Sequence, residues 1–99
     1  MTDQELSDGV VAYLQKGSAS SPRADEEAAR AVATGSSPEE LVERVKAVVA
    51  ESLAVTVDWN SLSLGDAGRA AAAETAGRHP GLDETAREAL AWNFSFAWR

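Results

Sequence analysis

Ser37-Pro38-Glu39-Glu40-Leu41-Val42-Glu43-Arg44-Val45-Lys46-Ala47-Val48-Val49-Ala50-Glu51-Ser52-Leu53 is the stretch that decides the fold. Ser37 followed by Pro38 is a helix start, since a serine side chain caps free N–H groups and proline fits the first turn. Glu40, three residues after Ser37, makes a capping box available. Leu41, Val42, Val45, Val48, Val49 and Leu53 then recur at helical spacing and form one wide apolar stripe, while Glu43, Arg44, Lys46 and Glu51 point elsewhere. Valine is a poor intrinsic helix former, so this helix depends on packing its stripe against other elements. It is expected to be the central core helix of the domain.

Helix signals continue on both sides. Upstream, Leu6, Val10, Tyr13 and Leu14 share a helical face, with Lys16 in the last turn and Gly17 available as the left-handed terminator. Ser21-Pro22 repeats the start signal, and Asp25, Glu26 and Glu27 precede Arg30, predicting a second helix from Pro22 to Ala33 closed by Gly35. Downstream, Ala67–Ala76 is alanine-rich and helical by propensity, with Ser63 as its cap and Gly77 as its stop. His79-Pro80-Gly81 makes a turn, after which Asp83 can cap a last helix containing Glu84–Ala91.

Two segments carry a different period. Val55, Val57 and Trp59 alternate with polar residues, as do Trp92, Phe94, Phe96 and Trp98 with Asn93, Ser95 and Ala97. The expected fold is all-α, a single irregular bundle of four or five short helices spanning residues 1–99. The alternative is a small α+β domain in which residues 54–59 pair with 92–98 as a short ribbon. For the C-terminal segment helix is favoured; for residues 54–59 helix and strand are evenly matched.

The composition narrows function mainly by exclusion. The chain has 99 residues, 44% of them hydrophobic, which suits one globular domain. It contains no cysteine, and therefore no disulfide, thiolate metal site or thiol nucleophile. Sixteen acids against nine bases give a net charge of −7, which repels phosphate backbones and anionic membrane surfaces; neither nucleic acid nor membrane is an expected partner. Met1–Leu14 carries Asp3, Glu5 and Asp8 in place of the basic start and apolar run of a secretory signal, so a soluble cytoplasmic protein is expected.

No constellation of residues announces catalysis. His79 is the single histidine and stands in a turn with no acid or nucleophile beside it in sequence; a helix C-terminal cap is the expected role. Glu39 and Glu43 share a helix face, but no histidine or spaced oxygen ligands accompany them, so solvated carboxylates are expected rather than a metal site. Gly65-Asp66-Ala67-Gly68-Arg69 lacks the strand, third glycine and lysine of a phosphate loop. No cofactor or enzymatic activity is therefore expected.

What remains is protein binding. The expected function is that of a small acidic inhibitor, such as an immunity protein or antitoxin, masking a basic toxin or enzyme. Asp25, Glu26, Glu27, Glu39, Glu40 and Glu43, presented on two consecutive helix starts, are the expected partner contacts; for Trp92, Phe94, Phe96 and Trp98 a place in the core is the favoured reading, and Trp98 as an aromatic anchor for the partner is the alternative. The alternative is a small regulatory or ligand-binding module with a pocket between helices lined by Trp59, Trp92 and Phe96.

Overall fold

Each helix of this protein begins at a side chain able to satisfy its first free N–H groups. In the computed structural model, which describes residues 2–98, the helices are α1 (Gln4–Leu14), α2 (Glu26–Ala31), α3 (Pro38–Ala54), α4 (Leu64–Arg78) and α5 (Glu84–Ala97). Asp3 accepts from the Leu6 N–H at 3.1 Å, Asp25 from Ala28 at 3.0 Å and Asp83 from Ala86 at 2.8 Å. The hydroxyls of Ser37 and Ser63 accept from Glu40 and Asp66, both at 3.2 Å. The fold is all-α, and the described residues contain no strand.

The α3 stripe is buried as its spacing implies. Leu41 and Val45 are fully enclosed, Val42, Val48 and Val49 nearly so, and Leu53 is half-buried. They pack with Leu6, Val10 and Leu14 of α1, Ala29 of α2, Leu82, and Ala86 and Leu90 of α5. A second, smaller apolar cluster lies towards the C-terminal end of α3, where Phe94 sits against Ala67 and Ala71 of α4. There the alanines of α4 admit α5 so closely that the two form the most extensive helix pair of the molecule.

Three sequence expectations are corrected. The second helix does not run from Pro22 to Ala33; it has six residues, is capped by Asp25 rather than Ser21, and ends before Gly35. The cause lies in α1, whose last carbonyls need donors: Arg23 N–H donates to Leu14 O at 3.1 Å and Asp25 N–H to Tyr13 O at 2.9 Å, which holds residues 21–25 out of the helix. Gly17 is not the terminator of α1; Gln15 takes the left-handed conformation first, with φ of 59°, and Gly17 follows at 91°. Gly77 is not the stop of α4, which continues to Arg78 with His79 as its C-cap.

The ribbon alternative is also overturned. Residues 92–97 are helical, and 55–58, beyond the end of α3, run without a partner strand. The alternation of Val55, Val57 and Trp59 nevertheless has a physical meaning. Val55 and Val57 turn inward onto the Phe94 cluster, while Thr56 and Asp58 face solvent. Phe94 is 1% exposed in its helical position, and its burial among the α4 alanines gives α5 a packed face that a two-stranded ribbon would forfeit.

Candidate aromatic binding surface

The C-terminal aromatics split by helical spacing into two sets on different sides of α5. Trp92 and Phe96, one turn apart, meet edge to face with ring centroids 5.8 Å apart, and the Lys16 ammonium lies over the Trp92 ring at 5.6 Å. Phe94 and Trp98, also one turn apart, have centroids 6.0 Å apart. Trp59, from the loop between α3 and α4, completes this second set, 6.0 Å from Phe94 and nearly parallel to it, and 5.7 Å from Trp98. Such offset and tilted arrangements are the favoured geometries of aromatic pairs.

This triad is graded from core to solvent. Phe94 is buried, whereas Trp59 and Trp98 are 45% and 52% exposed and are the large apolar side chains that the described surface leaves most open. Two half-exposed indoles resting on a buried ring form an apolar surface of the kind that anchors protein interfaces. Beside it, Asp58 organises the turn: its carboxylate accepts from the Asn60 N–H at 3.0 Å and the Ser61 hydroxyl at 2.7 Å. The Ser61 hydroxyl, then the Asn60 N–H, hold the Asp58 carboxyl below its ordinary range, so it is ionised at neutral pH.

The acidic residues expected to contact a partner divide between paired and unpaired groups. Asp25 caps α2 and accepts from the Gln15 amide at 2.5 Å. Glu26 pairs with Arg30 at 3.4 Å and approaches Lys46 of α3 at 4.0 Å, and Glu27 also pairs with Arg30. Glu39, Glu40 and Glu43 are exposed on the first turns of α3, and among the described residues their carboxylates enter no ion pair. Helical spacing sets Glu39, Glu43 and Lys46 in one stripe. Because Lys46 faces Glu26, the acids of α2 and α3 border a common surface.

That surface and Trp98 are not one contiguous patch. Glu39 lies at the start of α3, about 22 Å from its end at Ala54 at 1.5 Å per residue, and Trp59 follows beyond that end. Nor do Trp59, Trp92 and Phe96 line a common pocket: the first belongs with Phe94 and Trp98, the other two with each other. Two open grooves on the surface are lined by other residues. One of about 570 Å³ runs between α4 and α5 past Arg69, Ala72, Arg87 and Glu88, and one of about 580 Å³ lies beside Arg23 and α2.

His79 caps α4 through its backbone N–H, which donates to Thr75 O at 3.0 Å, while its imidazole meets Glu51 of α3 at 2.7 Å. The contact ties the end of α4 to α3. Among the described residues no three histidine or acidic side chains converge as a metal site would require, and no helix is long and apolar enough to cross a membrane.

The sequence pointed to Trp98 but missed Trp59 and Asp58 as its neighbours. The Asp58-Trp59-Asn60-Ser61 run does carry the composition of a side-chain-stabilised turn, which was the available signal. Comparison with known protein families, with curated proteins and with solved structures finds no match.

Proposed function

We propose that this protein acts by binding another protein stoichiometrically, as an immunity protein or antitoxin does, and masks a basic toxin or enzyme. The observation that carries the reading is the contact between the half-exposed indoles of Trp59 and Trp98 on the buried Phe94 ring. Leaving that much aromatic surface in water is unfavourable for the isolated chain and becomes favourable when a partner covers it. The net charge of −7 and the unpaired Glu39, Glu40 and Glu43 supply the long-range attraction that brings a basic protein to it. Anchor and steering field are then separate parts of one molecule, at opposite ends of α3. The reading takes the cytoplasm as the compartment of action.

The test is capture from the native cell on tagged protein, with the complexes sized by native mass spectrometry. A one-to-one complex with a basic protein is expected, weakened by Trp98→Ala and by the Glu39→Lys, Glu43→Lys double variant while both variants keep their helical circular dichroism. An acidic partner, or capture indifferent to both changes, overturns the reading. If no protein is captured while small molecules alter the tryptophan fluorescence, the ligand-binding module replaces it.

A further inference from the structure

The surroundings of the two indoles select one kind of partner side chain, an inference that rests on the protein-binding reading above. Residues 52–68 and 88–98, which carry both indoles, contain no lysine or arginine, the nearest in sequence being Arg69, Arg87 and Arg99. One carboxylate, Asp58, adjoins Trp59 in sequence and is exposed. A carboxylate offers about four acceptor positions, and Asp58 uses two of its own on Asn60 and Ser61, which fix it in place and leave capacity for a charged donor. Elsewhere the molecule fills an indole face with a cation, since Lys16 lies over Trp92. Among the described residues no cation lies over Trp59 or Trp98.

We propose that Trp59, Trp98 and Asp58 form a docking site for an arginine side chain of the partner, with the guanidinium lying on an exposed indole face and pairing with the Asp58 carboxylate. Arginine suits this surface better than lysine because its planar, weakly hydrated guanidinium stacks on an aromatic face and donates in a fork to a carboxylate at the same time. The negative charge of the whole chain attracts a cationic side chain of either kind at long range, so the choice of arginine rests on the indole faces and the Asp58 carboxylate. The partner is thereby specified as a basic protein whose contact surface presents an exposed arginine.

The experiment titrates ¹⁵N-labelled protein with a capped tetra-arginine peptide, and with a capped tetra-citrulline peptide as its neutral isostere. The three indole N–H signals are followed after assignment by single Trp→Phe variants. The arginine peptide is expected to shift the Trp59 and Trp98 signals saturably while leaving Trp92 in place, and the citrulline peptide to shift none. Asp58→Asn should weaken the arginine peptide by about threefold, the effect of an exposed charge pair, and Trp98→Ala by at least as much. Equal movement of all three indoles, binding unchanged by Asp58→Asn, or shifts confined to the amides of α2 and α3 overturns the site. The two readings fail separately. Indoles silent to arginine, with cellular capture still dependent on Trp98, remove the arginine site and leave the inhibitor. A saturable arginine site with no macromolecular partner captured removes the inhibitor and leaves the site.

Discussion

Gly68 of α4 packs so closely on Ala91 of α5 that a β-carbon added to the glycine would lie 2.7 Å from the Ala91 carbonyl oxygen. In an ordinary helix interior a glycine is a weakness, and alanine in its place gains about 0.5–1 kcal/mol. Here the added methyl meets backbone, which cannot rotate aside. Gly68→Ala is therefore expected to destabilise the fold by about 1–3 kcal/mol, read as a lower urea midpoint at unchanged slope. A stabilised variant would show that α4 and α5 are not in this contact.

Val45, fully buried at the centre of the α3 stripe, tests the core. Val45→Asp puts a carboxylate among Leu6, Val10 and Leu41 with no partner for its charge. The cost should be several kcal/mol, on the order of half or more of the total for a domain of this size. Thermal unfolding followed by circular dichroism should lose its cooperative transition at ordinary temperatures or shift it far down. An unchanged melt contradicts the central place of α3.

Glu5 provides a pH test. Its carboxylate oxygen reaches from α1 to the turn before α3, where it accepts from the N–H groups of Thr34, Gly35 at 2.7 Å and Ser36 at 3.2 Å, and from the Thr34 hydroxyl at 3.2 Å. The Ser36 hydroxyl and the backbone N–H groups of Thr34, Ser36 and Gly35 hold the carboxyl down to about 2, against an ordinary value of 4.5. The folded state thus binds this proton less readily than the unfolded chain does, so the contact stabilises fully above pH 4.5 and is lost as pH falls through about 2. Glu5→Gln should be less stable than the parent at pH 7, with the gap closing between pH 4.5 and about 2. Asp58 and Asp66 also titrate below their ordinary range but are common to both proteins and cancel in the difference; Asp3, lowered mainly by the Leu6 N–H and Arg44, feels the Glu5 charge only as its smallest influence. Urea unfolding across this range checks it; a gap independent of pH excludes the carboxylate as its source.

The separation of the acidic surface from the aromatic one predicts a kinetic division. Exposed charges act over about 8 Å at physiological salt, so Glu39→Lys with Glu43→Lys should slow association with the captured partner, and added salt should slow it for the parent. Trp98→Ala should instead speed dissociation, because short-range packing holds the complex once formed. Stopped-flow mixing at two ionic strengths separates the effects. Association indifferent to both salt and charge reversal removes the electrostatic part of the proposal.

Much of the fold was legible because it rests on local rules. The α3 stripe shows itself at helical spacing, and Ser37, Ser63 and Asp83 cap the helices they precede because a cap acts within three residues of itself. The assignment of Phe94 and Trp98 to one face of α5 follows from the same geometry. The placement of the acids on helix starts was equally readable, since it depends on sequence position alone.

What failed to be legible was decided at a distance. Pro22 should have opened a helix on local grounds, but the carbonyls ending α1 claimed the N–H groups of Arg23 and Asp25 and postponed the start to Glu26. Val55, Val57 and Trp59 show a real inside–outside alternation, yet whether it becomes a strand depends on a neighbouring edge, and α5 offers none because burial of Phe94 against Ala67 and Ala71 keeps it helical. The site was divided in the same way. Sequence alone could mark Trp98 as an aromatic near a helix end; only the path of the 55–62 loop could bring Trp59 within 5.7 Å of it, with Asp58 beside Trp59, beyond the end of α3 opposite Glu39. Spacing along one helix is fixed by the covalent chain, whereas contact between a loop and a helix is fixed by which apolar surfaces find each other when the chain folds.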